Sequence, residues 1–217
     1  MKNITGTVQV FIIVAVFIVS RMIALSLGLH MNIWALSAYW QYLDLETLRS
    51  HLLDGVWYDH AQPPVFNLLL GSVLKIGGNH SEFSFALILK LISLANALLL
   101  FSIVKKLSRI HFLPFLIALV YILSPATLIF ECELFYTTFI SLLLLISVYY
   151  LIRFSESGGW RNAFGFIFPM ALICLTRSVY HIVWLIMVVV ILLIYFRNKT
   201  LLNKLILASL AGIIIVA

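Results

Sequence analysis

The sequence predicts an all-α fold: a multi-spanning transmembrane helical bundle with an outer first loop that carries surface-lying helices. Three observations predict it. Mean hydropathy is +1.14. Hydrophobic residues make up 64% of the chain and charged ones only 10%. Apolar runs of roughly fifteen to twenty-two residues recur between short polar clusters, the pattern of helices that cross a bilayer. The formal charge of +6 does not point to nucleic acid. Its basic residues sit in small groups at the ends of apolar runs rather than on one Arg-rich face, as loops on the cytoplasmic side require. Cys132 and Cys174 have neither metal-ligand spacing nor the density of a disulfide framework, and read as apolar filler.

The chain reads as one transmembrane module over residues 1–217, with about seven spans. A first span is expected from about Val8 to Leu29, enough to cross a core of ~30 Å at ~1.5 Å per residue. Lys2 ahead of this run has the look of a secretory signal. Arg21 interrupts it, however, and no small-residue cleavage site follows, so a retained span is expected. Arg21 is either a snorkelling arginine or a binder of an anionic head group.

An outer loop follows, and with the short helix after it covers residues 30–78. Trp34, Tyr39, Trp40, Trp57 and Tyr58 make an aromatic belt suited to a membrane interface. Leucines at helical spacing predict a surface helix over Asp44 to Leu53, ended by Gly55. The run Val65 to Ile76 would reach only ~18 Å as a helix. Pro63 and Pro64 suit its start and Gly77-Gly78 its end, so a shallow or re-entrant helix is expected.

Later spans are expected at about Phe83 to Val104, Phe112 to Ile129, Phe135 to Ile152, Ala163 to Thr176, Val179 to Phe196 and Leu205 onward. If Val65 to Ile76 does not cross, nine of the fourteen basic residues fall on the cytoplasmic side: Lys2, Lys105, Lys106, Arg109, Arg153, Arg161, Arg197, Lys199 and Lys204. The same topology puts seven of the eight carboxylates on the outer face, with only Glu156 inside. The run from Leu205 reads as a span cut short: either the chain continues in a longer protein or its last helix ends within the bilayer.

The candidate site lies in a polar island from Tyr42 to Gly71. Asp44, Glu46, Asp54 and Asp59, four of the eight carboxylates, lie there with His51, His60 and Gln62. Asp44 and Glu46 are two residues apart and diverge by about 200° on a helix, so they make no paired site by themselves; solvated loop carboxylates are the plainer reading. In His60-Ala61-Gln62-Pro63-Pro64 the prolines fix the backbone, and the His and Gln side chains suit a phosphate or a sugar hydroxyl; His60 as a simple helix cap is the alternative. Glu131 and Glu133 flank Cys132 at a membrane edge, with Tyr136 following, and such acids need water or a partner, for which Arg177 is the candidate. Arg177, His181 and Trp184, spaced four and three, would share one helix face, where a guanidinium suits a lipid-linked phosphate or diphosphate. Lys90 points the same way.

An acidic first loop, then HAQPPVFNLLLG, then SPATLIFECELFYT, then RSVYHIVW resembles the C-type superfamily of membrane glycosyltransferases, specifically divergent bacterial relatives of glycosyltransferase family 39. The resemblance covers most of the chain, as the N-terminal half of such enzymes, and the His-x-Gln-Pro-Pro segment carries most of it. It implies transfer of a sugar from a polyprenyl-phosphate donor to a lipid, glycan or protein acceptor, at the outer face of a bacterial inner membrane. It also implies a first-loop carboxylate as base, matched by Asp44 or Glu46. Arg177 and Lys90 would stabilise the departing phosphate. No cofactor is expected, and no divalent-metal cage is visible. Membrane lipids are the surrounding partners. Two rival classes are a flippase for a lipid-linked sugar, which would carry mid-membrane polar residues and repeated halves, and a non-catalytic membrane scaffold.

Overall fold

The computed structural model describes residues 2–38, 42–58, 63–196 and 199–216. The protein is all-α; among the described residues there is no strand, and only an isolated parallel bridge joins Asn32 and Glu133. Three helical segments are long and apolar enough to cross a membrane: Gly6–Ser26, Pro64–Leu107 and Thr137–Ser157. They associate the chain with a membrane. Residues Tyr39, Trp40, Asp59, His60, Gln62 and Arg197, all singled out from the sequence, lie outside the described residues.

The chain forms two compact units. One comprises Met1–Tyr39 and Val73–Leu142; the other comprises Trp40–Ser72 and Leu143–Ala217. In the first, α1 (Lys2–Ser26), α6 (Ser81–Leu107) and α7 (Leu113–Leu123) pack around Ile13, Phe17, Ala97, Phe101, Ala118 and Ile122. The short α2 (Ala35–Ala38) and α8 (Pro125–Phe130) also belong to this unit. The expected span over Phe112 to Ile129 is in fact two helices. Pro125 has no N–H for the Tyr121 carbonyl, and Ser124 before it is extended, with ψ 128°, so the run breaks between them.

The second unit gathers α3 (Leu45–Ser50), α4 (Leu52–Tyr58) and the start of α5 (Pro64–Gly77), together with the later part of α9 (Thr137–Ser157), α10 (Trp160–Cys174), α11 (Ile182–Tyr195) and α12 (Lys199–Val216). Its core is built on Phe154, Phe166, Ile167, Met170, Leu185 and Leu205. The single surface helix expected from Asp44 to Leu53 is two helices, interrupted at His51, and Gly55 lies inside the second instead of ending it. A Cβ on Gly55 would strike the Thr47 methyl, so this glycine serves the close approach of α4 to α3. Gly71 does the same for α5, since a Cβ there would sit 3.0 Å from the Leu48 carbonyl. Leu48 and Leu52 are buried while Leu53, Trp57 and Tyr58 are exposed, an amphipathic division suited to a helix lying at an interface.

Helix α5 begins at Pro64 and ends at Gly77, as its prolines and glycines predict. A single 3₁₀ turn, Gly78–His80, then leads into α6, and Gly78 takes a φ of +47° that an L side chain rarely adopts.

Candidate functional site

Asp44 is the N-cap of α3. Its Oδ1 accepts from the Thr47 N–H at 2.9 Å, satisfying one of the orphan donors at the helix start. Hydrogen bonds from the Thr47 side chain and then from the Thr47 backbone hold this exposed carboxyl below its usual range. It is therefore ionised at neutral pH. Glu46, in the first turn of α3, is also exposed.

The segment carrying Asp44 is held from behind by Asn67 on α5. Asn67 is only 2% exposed. Its Oδ1 accepts from the Leu43 N–H at 3.0 Å, and its Nδ2 donates to the Pro63 carbonyl at 3.1 Å. Pro64 brings no N–H of its own, and the next donor, the Val65 N–H, goes to the Leu175 carbonyl at 3.0 Å. Leu175 is the C-cap of α10, two residues before Arg177. Three segments that the sequence singled out separately, the acidic stretch, the Pro-Pro helix start and the turn bearing Arg177, are thus joined by three hydrogen bonds within one unit. His60 and Gln62 lie just ahead of Pro63, outside the described residues.

Arg177 and His181 do not share a helix face. The Thr176 hydroxyl donates to the Leu172 carbonyl, the Arg177 N–H to Ile173, and the Tyr180 N–H to Arg177, so residues 175–180 form successive turns between α10 and α11. His181 is the N-cap of α11, its Nδ1 accepting from the Val183 N–H at 3.4 Å, and Trp184 lies in the first turn beyond it, edge-on to Tyr180. A spacing of four and three has meaning only inside a helix, and this stretch is not one.

In the other unit Glu131 has a different partner from the one expected. It takes both ends of the Arg21 guanidinium, Oε2 from Nε at 2.8 Å and Oε1 from the second terminal nitrogen. The remaining Arg21 donors reach the Ser20 hydroxyl and the Ile122 carbonyl, both at 2.9 Å, and the guanidinium lies 3.9 Å from the centre of the Phe17 ring. Arg21 is 5% exposed and Glu131 1%. Arg21 therefore neither snorkels nor presents itself to a head group; it neutralises a buried carboxylate. Glu133 is exposed beside Asn32, Tyr136 is buried with its ring 4.2 Å from Phe135, and Lys90 is half-buried on α6. Burial raises the pKa of the Cys132 thiol, against the opposing charge of Lys90.

Sequence reasoning missed Asn67 and the Arg21 to Glu131 pair. A lone Asn inside the apolar stretch VFNLLLG was the available signal for the first, because a buried amide needs partners. An Arg and a Glu at the ends of different apolar runs was the signal for the second.

Replacing Asn67 with Leu keeps the branched shape of the side chain but leaves the Leu43 N–H without its acceptor. The variant is expected to lose about 1–3 kcal/mol of stability and to speed hydrogen exchange at the Leu43 amide. Unchanged exchange there would mean that Asn67 does not hold this segment.

Among the described residues no three His, Cys, Asp or Glu side chains are grouped as a metal site. No protein-family model, no curated protein and no solved structure matches this chain.

Proposed function

We propose that the protein is a membrane glycosyltransferase that moves a sugar from a polyprenyl-phosphate donor to a lipid, glycan or protein acceptor. In this reading the chain is a bundle of about seven spans in a bacterial inner membrane, with the loop carrying α3 and α4 on the outer face. The observation that carries the proposal is the hydrogen-bonded tie of Leu43, Asn67, Pro63, Val65 and Leu175. It fixes an ionised, exposed Asp44 to the same scaffold as the start of the Pro-Pro helix and the turn of Arg177. Transfer chemistry asks for such a set: a carboxylate that accepts the acceptor's hydroxyl proton, and a cation that meets the phosphate as it leaves with the bonding electrons. Asp44 takes the first role and Arg177 the second, with Glu46, His60, Gln62 and His181 as further binding groups. Glu131 is taken up by Arg21 in the other unit, to which Lys90, Glu133 and Tyr136 also belong.

The test is donor binding by the full chain in nanodiscs, with polyprenyl phosphate and a panel of its hexose conjugates. Arg177→Ala is expected to weaken binding about tenfold or more, about 1.4 kcal/mol, with the melting temperature recorded alongside so that a loss of folding is told apart from a loss of binding. Equal affinity in variant and parent would remove Arg177 from the donor site.

A further inference from the structure

A groove of about 950 Å³ opens between α9 and α10, within the roughly 300–1,000 Å³ of ligand pockets. Tyr150 and Arg153 line it from α9; Trp160, Arg161, Phe164 and Phe168 line it from α10. Most of its length is apolar, and both arginines lie at the end next to the hairpin that joins the two helices. That hairpin is closely specified. Gly158 turns it with a φ of +62°, and the Asn162 amide donates to the Ser157 hydroxyl at 2.7 Å and to the Arg153 carbonyl at 3.3 Å. A third cation, Lys204, donates to the Gly158 carbonyl at 2.7 Å. Glu156, at the same end of α9, does not line the groove.

The wall on α10 is a stripe of aromatic side chains four residues apart. Trp160, Phe164 and Phe168 are 43%, 45% and 49% exposed, and Trp160 stacks on Phe164 with ring centres 6.2 Å apart. An apolar trough with two arginines among the residues that line its hairpin end is complementary to a molecule with one anionic end and a long apolar remainder. A soluble anion would leave the trough unfilled, and a neutral lipid would leave the arginines unanswered. Arginine suits phosphate oxygens through its planar fork of donors, and basic pockets between helices at a membrane edge take lipid head groups in this way.

We infer that the groove between α9 and α10 is a binding site for an anionic glycerophospholipid, its phosphate on Arg153 and Arg161 and an acyl chain along Phe164 and Phe168. None of the residues assigned to sugar transfer lines the groove, and the inference does not depend on that assignment.

The test is native mass spectrometry of the full chain, released from detergent micelles holding equal amounts of dioleoyl phosphatidylglycerol and dioleoyl phosphatidylcholine. The parent is expected to retain phosphatidylglycerol in about tenfold preference. Arg153→Gln with Arg161→Gln should bring the two lipids to near parity, while Arg153→Lys with Arg161→Lys keeps most of the preference. Lys105→Gln with Lys106→Gln removes equal charge elsewhere and should leave the preference intact. Parity in the parent, no change in the Arg-to-Gln variant, or an equal loss in the Lys105 and Lys106 variant would overturn the site. So would complete displacement of the lipid by millimolar inorganic phosphate, which would make this a site for soluble anions.

Discussion

Glu131→Ala is expected to lower the unfolding free energy by about 3–5 kcal/mol, the usual consequence of removing one partner from a buried ion pair. The Arg21 guanidinium would remain at a 5% exposed position with only the Ser20 hydroxyl, the Ile122 carbonyl and the Phe17 ring around it. None of these carries a compensating charge. Removing both charges is a different experiment, because Arg21→Met with Glu131→Leu leaves no ion to desolvate and should recover most of the loss. Unfolding of the full chain in mixed micelles, monitored by denaturant titration, measures both. A single variant as stable as the parent would mean that water reaches the pair, and a double variant as poor as the single would mean that packing, not charge, sets the cost.

Asp44→Asn should lower turnover by about a hundredfold or more, on the scale expected of a general base. This substitution separates chemistry from architecture. Asparagine caps a helix about as well as aspartate, so α3 and its approach to α5 should persist, yet the amide cannot accept a proton near neutral pH. Glu46→Gln is the companion variant and should cost much less. The pH dependence carries a sign that can be checked. The pKa of Asp44 is lowered by Thr47, so its contribution to helix α3 is complete above the ordinary carboxylate range and is lost as pH falls through the lowered value. The acid limb of kcat/KM should follow the same lowered value and vanish in the Asn variant. Transfer unchanged in Asp44→Asn but abolished in Glu46→Gln would move the base to Glu46, and transfer unchanged in both would take this loop out of the reaction.

The helices were legible where local rules decide them. Apolar runs located α1, α6 and α9, and the prolines and glycines around α5 marked both of its ends within a residue or two. Elsewhere the decision belonged to tertiary contact. Gly55 looked like a helix end because glycine usually is one, whereas here it admits the Thr47 methyl across a crossing of two helices. Pro125 was visible, but hydropathy alone carried the expected span straight through it. In the site, Asp44 and Arg177 could be selected by residue type and position. Their connection through Asn67, Pro63, Val65 and Leu175 could not, since each bond joins residues with no shared local pattern. Arg177 and His181 were given a common face on a spacing that presumes a helix, and α10 ends at Cys174, before either residue.

The pairing of Arg21 with Glu131 also sets a schedule for synthesis. The two residues are 110 positions apart, and a ribosome adding about 5–20 residues per second needs roughly 5–20 s to make the second after the first. Until then Arg21, near the C-terminal end of α1, has no Glu131 to pair with. A charge among apolar residues is costly without a partner, so α1 is expected to be held less firmly before the pair forms than after it. Its long stem can meanwhile lift the charge toward water. Once Glu131 is made the pair can form, and the first helix of the chain then depends for its partner on a residue made long after it.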